Sequence, residues 1–131
     1  MAKKLTAWKT VPMSGGNVTL TIITPRSVGF KYGADRGSFV REVVSSRVGV
    51  QLCPAGLAEQ LYRRYDNQPH GEILRVAEGL PAGPLQQSFM LKRVREGQSE
   101  IRQLFNDGDT CPAGEKWVFV IPATSPAKPK D

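Results

Sequence analysis

Near the C-terminal end of the chain stands Gly114-Glu115-Lys116-Trp117-Val118-Phe119-Val120-Ile121-Pro122. Every residue from Trp117 to Ile121 is aromatic or β-branched, the types that fit a pleated, buried surface. The run is too short for a helix that could stand alone, and turn residues bound it. Asp107-Gly108-Asp109 and Pro112-Ala113-Gly114 precede it, and Pro122 ends it by lacking a ladder donor. A strand apolar on both faces belongs inside a sheet or under a layer of helices. The rest of the chain must supply that cover.

Immediately upstream, Pro84 to Phe105 shows helical spacing. Leu91, Val94, Gln98, Ile101 and Phe105 recur at steps of three and four, with Met90 and Leu104 beside them. Lys92, Arg95 and Arg102 fall on the opposite side. The competing reading is a hairpin turning at Glu96-Gly97, with Arg95 paired to Gln98. Its first face would mix Arg93, Leu91 and Phe89 with Glu100 and Arg102. Its second would mix Lys92 and Met90 with Ile101 and Gln103. Neither face is cleanly apolar, so the pattern predicts a helix, with Gly97 costing about 1 kcal/mol relative to Ala.

Further upstream, Pro54 sits where a first helical turn accepts proline. Leu57, Leu61 and Tyr65 then align at i, i+4, i+8 with Ala58 and Tyr62 beside them, predicting a helix over 54–65. Asp66 to Gly71 stops it. Residues 72–77 form a short strand or a turn of helix, and 79–84 a loop. Over 38–48, Ser38 is a good N-cap, and Phe39, Val40, Val43, Val44 and Val48 fall at helical spacing. Helix is preferred there, against the strand that the β-branched content suggests. Residues 25–37 are glycine-rich, and leave open a short strand with Phe30 inward or a surface loop. Residues 5–24 read as a hairpin. Val18-Thr19-Leu20-Thr21-Ile22 alternates as a half-buried strand does, and Ser14-Gly15-Gly16-Asn17 supplies the turn. Pro12 means that the first strand lies at an edge or ends there.

The expected fold is therefore α+β: one domain over 1–122, with a Pro/Lys-rich extension over 123–131. A small antiparallel sheet, made of the N-terminal hairpin and the C-terminal strand, packs against two or three helices.

With 131 residues, 40% of them apolar and 23% charged, the chain excludes wholesale disorder and suits one core. The net charge of +6 favours anionic partners. No apolar signal core follows Met1-Ala2-Lys3-Lys4, and no apolar run reaches membrane-spanning length. These features point to the cytoplasm, or to a particle assembled there, and not to secretion by a signal peptide. Cys53 and Cys111 are then expected as free thiols, with a disulfide as the alternative in an extracellular particle.

Motifs for chemistry are sparse. Cys-Pro-Ala-Gly occurs at Cys53–Gly56 and again at Cys111–Gly114, and Pro-Ala-Gly recurs at 81–83. Two sulfurs make an incomplete zinc shell, whereas Pro-Gly turns recur because they are good turns. Asp107-Gly108-Asp109-Thr110 resembles a fragment of a calcium loop, but lacks the closing glutamate at the required spacing. His70 is the only histidine, and neither GxSxG nor GxxxxGK occurs. No catalytic, cofactor or metal residue is assigned, and no small-molecule substrate.

Tyr62-Arg63-Arg64-Tyr65 interleaves aromatics with cations as nucleic-acid surfaces do. The tyrosines, however, fall on the apolar side of their helix. The hairpin that opens Met-Ala-Lys resembles the start of some small viral coat proteins; nothing downstream follows their pattern, and no family is assigned.

The reading that results is a non-enzymatic structural or interaction protein, a small subunit of a larger assembly such as a phage or virus particle. Its partners are other protein subunits, copies of itself among them. The alternative is a nucleic-acid-binding, regulatory or inhibitor protein. It would use a basic helix face of Lys92, Arg95 and Arg102, with Arg93 nearby, and the solvent-facing Arg63 and Arg64 of the 54–65 helix as further candidates.

Overall fold

The computed structural model describes residues 5–13, 16–45, 48–65, 68, 72–79, 85–95, 98–104 and 110–122. At 85–87, 94, 95, 98, 99 and 102–104 it describes the backbone alone. The strands are β1 (Lys9–Met13), β2 (Gly16–Ile23), β3 (Ala34–Asp35), β4 (Ile73–Gly79), β5 (Leu85–Arg95), β6 (Gln98–Leu104), β7 (Thr110–Cys111) and β8 (Lys116–Ile121). The helices are α1 (Arg36–Val44) and α2 (Leu57–Arg64), and a 3-10 turn covers Arg26–Val28. Six strands form one sheet in the order β1-β2-β8-β4-β5-β6, and β3 pairs with β7.

The apolar run of β8 lies between β2, antiparallel to it, and β4, parallel to it. Its side chains point alternately to two cores. Val118 and Val120 join Leu20, Leu74 and Val76 against Leu57, Ala58 and Leu61 of α2. Trp117 and Phe119 join Ile23 and Ala77 against Phe39, Val40 and Val43 of α1. Phe39 meets Trp117 and Phe119 edge-on, with ring centroids 5.6 and 5.8 Å away. Both faces are closed, which is why neither needs a polar residue.

Helix α1 begins at Asp35, whose carboxylate accepts the backbone N–H of Ser38 at 3.0 Å and its hydroxyl at 2.7 Å. The N-cap is thus Asp35 and not Ser38, three residues earlier than the sequence pattern suggested. The aromatic-bearing loop before it closes tightly. At Gly33, with φ +101°, a Cβ would stand 2.7 Å from the carbonyl oxygen of Cys111, so only glycine fits.

Strands β4 and β8 part beyond Val76 and Val118, and the segment after α1 enters the gap. Gln51 exchanges two backbone hydrogen bonds with Val120, at 2.8 and 2.9 Å. Cys53 donates its N–H to Ala77 and accepts from Gly79. This wedge delivers the chain to α2 on the concave side of the sheet. There α2 touches β4 and β5 and also β1 and β6, the two edge strands. One helix reaches both edges because the sheet curls round it as a half-barrel.

This architecture corrects the expected fold class. The protein is mostly sheet with two helices among the described residues, not a small sheet under a helical layer. Within the predicted 84–105 helix, Leu85–Arg95 and Gln98–Leu104 form the antiparallel pair β5–β6; of the two readings of 72–77 the strand holds from Ile73, in the central strand β4. A register shift between Arg93 and Arg95 is the physical reason. The bulge moves the pairing by one residue, so Leu91 faces Ile101 and Lys92 faces Glu100. Leu91 and Ile101 then pair with each other, whereas the unbulged hairpin would set each opposite a cation, Arg102 and Lys92.

A buried polar cluster lies on the α1 side of the sheet. The Arg75 guanidinium sits 4.5 Å over the Trp117 ring, 3.3 Å from Glu115 and 3.3 Å from the Ser88 hydroxyl. Arg36, at the start of α1, donates to the same hydroxyl at 3.2 Å, and Trp117 Nε1 donates to Glu115 at 2.9 Å. The extension over 123–131 lies outside the described residues.

Candidate binding groove

The groove on the concave side is built from the start of α2 outward. Pro54-Ala55-Gly56 turns the chain from the wedge into the helix, and Gly56 takes φ +91°, a left-handed conformation that a side chain would strain. No residue of the turn caps the helix through its own side chain. The cap comes from Glu78, almost fully buried at the end of β4. Its two oxygens accept the N–H groups of Gly56, at 3.3 Å, and Ala58, at 2.8 Å. A carboxylate at a helix N-terminus satisfies donors that the helix leaves open and complements its dipole.

At the other end of α2, the Tyr65 hydroxyl donates to Glu72 at 2.8 Å, and its ring meets Trp8 edge-on at 5.4 Å. Lys9 lies over both rings, 5.3 Å from Trp8 and 4.7 Å from Tyr65. Burial, and then the bond to Glu72, push the Tyr65 phenol well above its ordinary pKa, so it stays a donor. Both ends of α2 are thus fixed to the sheet, and its position between the edge strands is set.

Between α2 and the β5–β6 side, this arrangement leaves a cavity of about 570 Å3. Tyr62, Phe89 and Ile101 form apolar walls, Glu78 lies at the helix end, and Glu59 and Arg63 stand at the rim. Glu59 and Arg63 pair at 2.6 Å, one turn apart. On the β1 side of α2 a smaller hollow of about 330 Å3 is lined by Pro12, Met13, Ala55, Gly56 and Gln60. The larger cavity has the size and lining of a site for an apolar group. The Glu78 carboxylate is engaged by helix N–H groups and Glu59 by Arg63, and no histidine, cysteine, serine or threonine of the described residues lines the cavity.

The six basic residues singled out from the sequence do not form one face. Lys92 and Arg93 are adjacent on β5 and alternate across the sheet; their backbones lie opposite Glu100 and Ser99. Arg95 is opposite Gln98 and Arg102 opposite Met90 in the backbone register. Arg63 and Arg64 are exposed near the end of α2, and of the six Arg63 lines the groove. The basic helix face is absent because the helix is a hairpin. Tyr65 is core, as its helical spacing implies, whereas Tyr62 is half-buried and forms a groove wall.

Cys53 and Cys111 are both buried thiols, not joined in a disulfide, and sit in different cores. Cys53 donates to the Val118 carbonyl at 3.4 Å, and burial followed by the nearby charge of Glu78 pushes its pKa well up. Among the described residues no cluster of three His, Cys, Asp or Glu could hold a metal ion, and no helix is long and apolar enough to cross a membrane. His70 and the Asp107–Asp109 turn lie outside the described residues.

Sequence reasoning missed Glu78, Phe89 and Ile101 as partners in one site. The helical period of 84–105 places Phe89 and Ile101 on one helix. Glu78 follows an apolar stretch with no spacing motif; the one available signal was the Cys53–Gly56 turn at a helix start that lacks its own cap. No family model, curated protein or solved structure matches the chain.

Proposed function

We propose that the protein is a non-enzymatic interaction subunit that takes an extended segment of another polypeptide along β6, with an apolar side chain seated in the groove. The observation that carries this reading is Ile101, which belongs at once to an edge strand and to the groove wall. A strand added to a sheet edge gains main-chain hydrogen bonds from the edge and specificity from pockets under alternate side chains. Among the described residues β6 has one neighbour, β5, so its other side offers that edge. The groove beside it offers the pocket. A subunit role in a larger assembly follows, and two thiols kept apart in separate cores support a cytoplasmic site of assembly.

Random peptides displayed and selected on the full chain test the reading. Binders with alternating apolar residues are expected, and their addition should shift the amide resonances of β6 and Phe89. Ile101→Asp should abolish their binding. Selected peptides that leave those resonances in place, or a selection that yields none, would contradict it.

A further inference from the structure

We infer that the segment added to β6 is β6 of a second copy of this chain, antiparallel and centred on Ile101. The inference rests on the edge-addition reading above and names its partner. Two observations carry it, one from the edges and one from the register.

The sheet has two edges, and they differ. β1 carries Pro12 in mid-strand, and proline lacks the donor that an added strand would need. β6, Gln98-Ser99-Glu100-Ile101-Arg102-Gln103-Leu104, carries neither proline nor lysine. Proline and lysine, two devices that blunt an edge, are thus found on β1 and missing from β6.

The sequence of β6 is also complementary to itself. A two-fold axis at Ile101 sets Ile101 opposite its own copy, Glu100 opposite the position of Arg102, and Arg102 opposite that of Glu100. Directly opposite residues share a face, so the paired isoleucines meet on the groove side and the charges alternate to the other side. Within one chain Glu100 already lies opposite Lys92. Across the pair, the row at Glu100 therefore reads Lys92, Glu100, arginine of the second copy. Neighbouring registers fail. An axis at Glu100 opposes two acids, an axis at Arg102 opposes two cations, and half-residue shifts set Ile101 against a charge. The Ile101 register alone satisfies both faces, and it joins the two grooves across the axis.

Light scattering on the full chain, read after size separation, tests this. At about 100 µM protein the expected mass is twice 14.4 kDa. Glu100→Arg or Arg102→Glu should each weaken association about tenfold or more, because each creates two like-charge pairs. Glu100→Arg combined with Arg102→Glu should restore it. Circular dichroism confirms that each variant folds; should a charge variant not fold, Ile101→Cys gives a second reading, a disulfide-linked dimer under mild oxidation. A 14.4 kDa particle at every concentration overturns the inference. So does a dimer indifferent to the single changes or unrestored by the pair. Peptide binding at β6 by a monomer would then leave the edge-addition reading standing, so the two failures are distinct.

Discussion

The backbone N–H of Ala58 donates to Glu78 at 2.8 Å, and this bond fixes the first turn of α2 to the end of β4. The helix has no cap of its own, so a carboxylate twenty residues away in sequence does the work of a neighbouring side chain. Glu78→Ala should lower stability by about 1–3 kcal/mol, since it removes an acceptor from buried helix donors. Glu78→Gln keeps one acceptor and should cost less. Urea unfolding of the two variants reads the difference, and equal losses would argue against the cap.

On the other side of the sheet, Glu115 is the acid beside the buried Arg75 guanidinium and the acceptor for Trp117 Nε1. Glu115→Ala leaves a buried cation without that partner and should cost about 3 kcal/mol or more. Arg75→Met together with Glu115→Ala should cost less than the two single losses added. Near-ultraviolet circular dichroism of Trp117 should change with Glu115→Ala. Purely additive losses would show that the pair is not coupled.

Cys53 and Cys111 are both buried, and burial raises the Cys53 pKa, so neither should react as an accessible thiolate. Ellman's reagent should label the native chain slower than the unfolded chain by a factor of roughly a thousand or more, the scale of global opening. Rapid labelling of either thiol at neutral pH would place it outside the core.

The Asp35 carboxyl is held below the usual carboxylate range, first by the Ser38 hydroxyl and then by the Ser38 backbone N–H. A group whose folded pKa is depressed stabilises the fold above its unfolded pKa. That contribution is lost as pH falls through the folded value. The N-cap of α1 should therefore weaken below about pH 4. Asp35→Ser keeps a capping oxygen that does not titrate, so the variant should lose less stability than the parent between pH 5 and pH 3. Thermal unfolding across that range checks it; parallel losses in both chains would remove Asp35 from the acid response.

What could be read from residues alone was local. The Trp117–Ile121 run calls for cover on both faces because it has no polar alternation, and the two cores supply it. Leu57, Leu61 and the N-terminal hairpin follow their periods into α2 and β1–β2. The error over 84–105 has one source. Leu91, Val94, Gln98 and Ile101 fit a helical period, while the hairpin's apolar face appears only once a bulge shifts the register. A one-residue bulge has no signature in composition, and its payoff lies in pairs such as Leu91 with Ile101, far apart in the helical reading. The groove inherits that difficulty, since two of its walls stand on β5 and β6. Glu78 was illegible for a related reason: its role exists only where β4 and the turn at Gly56 meet.

Amide hydrogen exchange along Gln98–Leu104, followed as protein concentration rises, tests most directly whether β6 receives another strand. The outward-pointing amides of an open edge exchange within the time of local fluctuation, whereas ladder hydrogen bonds protect them. Protection that grows with concentration on those amides, with β1 unchanged, is the predicted result. Fast exchange along the outer side of β6 at every concentration would contradict the account.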